Sequence, residues 1–201
     1  MKIIGLTGGS GAGKSEVSRY MQSRYGVVHI DGDAVARHVT DTRRECLDEL
    51  AAHFGLGILN PDGTLNRKAL AALAFASGEE TKALNRITHK YITEEINCQI
   101  ERSRAAGAPA VAVDGAAIIE SGTARDCDAL VVVTAPYARR LKAVMARDGI
   151  DEAQARRRLD AQKPDAWYTS HADYTIENIG TLEELQRQVD AVMNGILKPE
   201  D

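Results

Sequence analysis

Gly8 is followed by four residues and then by Gly13-Lys14-Ser15, and this GxxxxGK[ST] spacing constrains the chain more than any other feature. It demands a strand before it and a helix after it. Lys2-Ile3-Ile4-Gly5-Leu6 supplies a short β-branched run, and Val17, Tyr20, Met21 and Tyr25 recur on one helical face. Glycines let the backbone take positive φ and turn its N–H groups inward, which makes a cradle for phosphate. The helix starting near Lys14 adds free amides and the positive end of its dipole. Lys14 is expected to reach the β- and γ-phosphates of a bound nucleotide, and the Ser15 hydroxyl to ligate Mg²⁺. The nucleotide-binding stretch is therefore Gly8, Gly9, Ser10, Gly11, Ala12, Gly13, Lys14, Ser15 and Glu16.

A chain of 201 residues with 44% hydrophobic and 27% charged residues can bury a full core, and suits one α/β domain with an insertion. The net charge of −4 supplies no global basic field, so nucleic acid and anionic membrane are not expected partners. Cys46, Cys98 and Cys127 are odd in number and widely spaced, as free thiols in a reducing cytoplasm would be. No secretory leader is expected, since the first residues read as a strand, and no apolar run is long enough to cross a bilayer. Monomer and small homo-oligomer are both compatible with this pattern.

After the first helix, Gly26 ends the helical pattern and Val27-Val28-His29-Ile30 reads as a buried strand. It leads into Asp31-Gly32-Asp33. Carboxylates at the carboxyl end of a parallel strand face the ligand crevice, which makes Asp33 the candidate general base or a ligand in the metal's water shell. Asp31 has a second fate as a helix cap. From Ala34 to about Arg104 the pattern is helical, broken at Asn60-Pro61-Asp62-Gly63, and reads as an inserted subdomain for the second substrate. Arg37, Arg67 and His89 are its notable polar residues.

Pro109 to Val113 reads as a central strand ending at Asp114, where a carboxylate could hold Mg²⁺ through water or merely form a turn. Leu130 to Thr134 is a fourth strand, and Pro136 suits the start of the next helix. Tyr137 to Gln162 is helical, strongly basic and interrupted at Asp148-Gly149. A segment of this kind can close over transferring phosphate, with Arg147 as the candidate; Arg156, Arg157 and Arg158 fit a solvated face better. Asp173 to Asn178 is a fifth strand, with Asn178 placed to contact base or ribose. Thr181 and Glu184 form a capping box for the closing helix.

Together these residues resemble the dephospho-coenzyme A kinase family over nearly the whole chain. The likeness is carried by Gly5-Leu6-Thr7-Gly8-Gly9 with Gly13-Lys14-Ser15, Asp31-Gly32-Asp33 with Arg37, and His53-Phe54-Gly55 followed by Asp62-Gly63-Thr64-Leu65-Asn66-Arg67. Leu84-Asn85 with His89, Arg147-Asp148-Gly149, Ala161-Gln162 and Ala172-Asp173-Tyr174 through Asn178 extend it. The resemblance implies transfer of the ATP γ-phosphoryl group to the ribose 3′-hydroxyl of dephospho-CoA. It implies Asp33 near the acceptor hydroxyl, and substrate contacts from Asp33, Arg37, Arg67, His89 and Glu120. It further implies a lid near Arg147. The sequence departs from the usual family pattern at Ala116-Ala117-Ile118-Ile119, Lys90, Arg140, Ala143 and Glu16.

The expected architecture is a three-layer α/β fold with a five-stranded parallel sheet in order 2-3-1-4-5, the order coming from the resemblance. Residues 1–36 and 107–201 form the nucleotide-binding core, 37–106 the helical insertion, and 140–170 the lid. Two other readings stand beside it, a nucleoside or nucleotide kinase and a non-catalytic nucleotide-binding module.

Overall fold

The computed structural model describes residues 1–115, 118–119 and 122–198, so the expectations for Ala116, Ala117 and Glu120 lie outside the described residues. By internal contacts the chain divides into two units, one of Met1–Ile30 with Arg102–Asp201 and one of Asp31–Glu101.

The first unit carries the sheet. Strands β1 (Lys2–Thr7), β2 (Val28–Asp31), β3 (Ala110–Asp114), β4 (Ala129–Thr134) and β5 (Tyr174–Glu177) lie in the order β2-β3-β1-β4-β5 and form a parallel sheet. β1 is central, with Ile4 opposite Ala112 of β3 and Ala129 of β4. The inner strands read as apolar runs because helices cover both faces: Val111, Ala112 and Val113 of β3 and Val131, Val132 and Val133 of β4 are buried. The sequence suggests that Val27 to Ile30 is a buried strand, but β2 is an outer strand, and Val28 is 37% exposed.

Helix α1 (Lys14–Tyr25) follows β1 and ends at Gly26 in the left-handed conformation, φ 66°. Its Val17 and Met21 pack into the sheet with Leu185, Val189, Val192, Met193 and Ile196 of the last helix. Each such side chain contributes about 1.5–3 kcal/mol of burial. Tyr20 and Tyr25 both donate to Asp190, and burial with that carboxylate pushes the Tyr25 phenol up to about 12.

The second unit is helical: α2 (Gly32–Thr42), α3 (Arg44–Phe54), a 3-10 turn at Leu56–Ile58, α4 (Arg67–Ala74) and α5 (Gly78–Ala105), whose last turn passes into the first unit. The predicted turn at Asn60 to Gly63 is closed by a bridge between Leu59 and Leu65 and by Asp62 accepting from the Thr64 N–H and hydroxyl. Asn66 caps α4 by accepting from the Ala69 N–H at 3.0 Å.

Back in the first unit, α6 (Tyr137–Asp148) and α7 (Glu152–Asp160) are separated at Gly149, φ 63°, where the basic segment is predicted to break. A short helix α8 (Asp165–Thr169) precedes β5, and α9 (Leu182–Ile196) closes the chain. Thr181 and Glu184 form the expected capping box. Pro136 stands at the start of α6, as expected, in the capping position before Tyr137.

Candidate nucleotide site

Between β1 and α1 the backbone turns through Gly8, Gly11 and Gly13 at φ 135°, 75° and 106°, a conformation that L side chains rarely adopt. At Gly8 space also forbids a side chain, because a Cβ there would collide with the Val133 carbonyl of β4. The loop thus lies directly on the sheet's carboxyl end. Lys14 opens α1 and donates to the Gly8 carbonyl at 2.9 Å and the Gly9 carbonyl at 3.5 Å, so its ammonium spans the mouth of the loop. Ser15 stands in the first turn of α1. Glu16 is exposed and paired with Arg19 at 2.6 Å.

The loop is braced from below by Asn178. Its side-chain amide donates to the Ala12 carbonyl at 2.9 Å, and its backbone N–H to Thr134 at 2.8 Å. Asn178 therefore meets the loop backbone rather than standing free beyond β5.

Asp114 ends β3 opposite Leu6, its side chain 18% exposed, with His29 Nε2 at 3.6 Å. Beside it, Thr7 donates to the Gly115 carbonyl at 3.1 Å. The Ser15 hydroxyl and Asp114 carboxylate are hard oxygen donors of the kind that suit Mg²⁺.

Arg147 lies at the end of α6, where its guanidinium grips Asp148 through two hydrogen bonds, 2.7 and 3.0 Å, and is 58% exposed. Arg158 pairs with the same carboxylate, so the two arginines hold Asp148 below its usual range. Arg156 takes an i,i+4 partner in Glu152. The arginine that meets the loop is Arg140, whose Nε donates to the Ser10 carbonyl at 3.0 Å. Arg140 shares the buried face of α6 with Leu141 and Val144. That signal was present in the sequence, since a charged residue in an apolar helical stripe needs partners.

In the second unit, Asp31 closes β2 and caps α2, accepting from the Ala34 N–H at 2.9 Å. Asp33 falls in the first turn of α2 and is exposed, rather than in a loop after the strand. Arg37 is exposed on α2, and Arg67 donates to its carbonyl, to the Thr40 hydroxyl and to Asp41 at 2.7 Å. This gathers Arg37 and Arg67 on one side of the unit. His89 is half-buried on α5, next to Lys90, which pairs with Glu49 at 2.6 Å.

Comparison with known proteins gives one consistent result. The family model described as dephospho-CoA kinase matches residues 2–184. The chain is 42% identical over 197 residues to the dephospho-CoA kinase of Corynebacterium efficiens, covering 98% of each. A solved Thermus thermophilus protein superposes with TM-score 0.81 at 31% identity, covering 97% of each chain. Dephospho-CoA kinase from Campylobacter jejuni superposes with TM-score 0.70 at 25% identity, covering 96% of each.

Proposed function

The chain belongs to the dephospho-CoA kinase family, and on that footing we propose that it transfers the γ-phosphoryl group of ATP to the ribose 3′-hydroxyl of dephospho-CoA, giving CoA and ADP. The observation that carries the reading to residues is the loop itself: three left-handed glycines on the sheet's carboxyl end, with the Lys14 ammonium drawn across their carbonyls.

In the proposed reaction the loop amides from Gly9 to Lys14 orient the β- and γ-phosphates, and Lys14 neutralises charge as the β–γ bridging bond breaks. Asp33 takes the proton of the acceptor hydroxyl as its oxygen bonds to phosphorus. Ser15, with Asp114 or Asp33 through water, would hold Mg²⁺, which when bound neutralises phosphate charge. Arg147 covers the transferring group, and Arg37, Arg67, His89 and Glu120 bind the coenzyme. Free Cys46, Cys98 and Cys127 support a reducing cytoplasmic setting, and no helix among the described residues is long and apolar enough to cross a membrane.

The test is ADP release from ATP and Mg²⁺ with dephospho-CoA, adenosine, AMP, CMP or no acceptor. Turnover with dephospho-CoA alone is expected. Turnover with a nucleoside or nucleotide instead would assign the acceptor wrongly.

A further inference from the structure

Ser10, at the crest of the phosphate loop, has its polar groups held by two side chains from a later part of the chain. Gln162, between α7 and α8, accepts from the Ser10 N–H at 2.9 Å and donates to the Ser10 hydroxyl at 2.6 Å. Arg140 donates to the Ser10 carbonyl at 3.0 Å, to the same Gln162 oxygen at 2.9 Å and to Asp165 of α8 at 2.8 Å. Arg140 is only 6% exposed, and its guanidinium lies so close to Gly9 that a Cβ there would collide with it. A buried guanidinium must keep its partners. The crest and the α7–α8 arm are therefore joined through one charge.

The Ser10 N–H is a crest amide of a loop built to face phosphate, yet here it donates to a neutral amide oxygen. A phosphate oxygen is a stronger, charged acceptor for the same donor. We propose that Gln162 is a positioning residue that exchanges the Ser10 N–H with nucleotide phosphate, so that nucleotide binding resets the α7–α8 arm for transfer. This rests on the nucleotide reading of the loop. Arg140 keeps Asp165 and Gln162 together during the exchange, so the arm moves as a piece. By linkage, whatever nucleotide does to the arm, the arm does in return to nucleotide affinity.

The arm carries its own reporter. Trp167 is the chain's single tryptophan, two residues beyond Asp165, with its ring 4.9 Å from His171 and the Lys163 ammonium 5.8 Å away. The experiment titrates the full-length protein with a non-hydrolysable ATP analogue and Mg²⁺. It follows Trp167 fluorescence and, separately, heat of binding, with steady-state kinetics on the same proteins. Wild type should show a saturable Trp167 change at the calorimetric Kd. Gln162→Leu, and Gln162→Asn should the first fold poorly, should bind the analogue as tightly or tighter and lose the Trp167 change. Their kcat should fall by about tenfold with no rise in the ATP KM. Ser10→Ala, which keeps the N–H, should retain the change. The proposal is overturned if wild type binds with no Trp167 change, if the Gln162 variants keep it, or if they merely bind more weakly, as loss of a passive brace would produce. Absence of calorimetric binding to wild type would instead remove the nucleotide reading, and this proposal with it.

Discussion

The Asn178 side-chain amide donates to the Ala12 carbonyl at 2.9 Å, joining the end of β5 to the middle of the phosphate loop across 166 positions of sequence. Both residues are buried, Asn178 to 7% and Ala12 to 1% exposure. Asn178→Ala would leave the Ala12 carbonyl buried without this donor, at a cost of about 1–3 kcal/mol. At about 2–4 °C per kcal/mol, melting should fall by several degrees, and the ATP KM should rise while that for dephospho-CoA holds. Calorimetric melting with two-substrate kinetics checks this.

Lys14→Ala removes the ammonium drawn across the loop carbonyls. If Lys14 stabilises transferring phosphate, kcat/KM should drop at least about a hundredfold, equivalent to about 2.7 kcal/mol, with the circular dichroism spectrum unchanged.

Asp33 is exposed in the first turn of α2, and its neighbour Asp31 already caps that helix. Asp33→Asn should therefore leave folding intact. As the proposed base it should lower kcat with little change in the ATP KM, measured at saturating dephospho-CoA. A loss confined to ATP binding would make it a metal-site residue.

Arg147→Ala should slow phosphoryl transfer in single-turnover rapid-quench experiments. Its partner Asp148 gives a separate, pH-dependent prediction. The hydrogen bonds from Arg147, with Arg158 beside them, lower the Asp148 pKa below its ordinary 3.8. A carboxyl with a depressed folded pKa contributes stability above its unfolded pKa and loses it as pH falls through the folded value. Asp148→Asn should melt earlier than wild type at pH 6, and the gap should narrow steadily below pH 3.8, followed by thermal melts across that range.

Legibility in the sequence followed how local each determinant is. The loop, Gly26, Gly149 and the Thr181–Glu184 box are written in adjacent residues whose backbone conformation admits few alternatives, and each lies where the pattern indicates. The strand order depends on which strands are neighbours, and came only from family resemblance. Val27-Val28 suggests a buried strand because apolar content does not reveal that β2 is outermost. The α2–α3 junction carries no glycine or proline, only Arg43 in extended conformation, so no punctuation marked it. Arg140 was the hardest to read. Its role depends on Ser10, Gln162 and Asp165, separated from it by up to 130 positions, meeting around one guanidinium.

The most direct test of the proposed chemistry is to follow label from γ-³²P ATP in a single turnover with dephospho-CoA and Mg²⁺, then locate the phosphate on the product. The expected result is one labelled phosphate on the ribose 3′-oxygen of CoA, formed with one equivalent of ADP. Label appearing only as inorganic phosphate, or on a nucleotide acceptor in preference to dephospho-CoA, would contradict it.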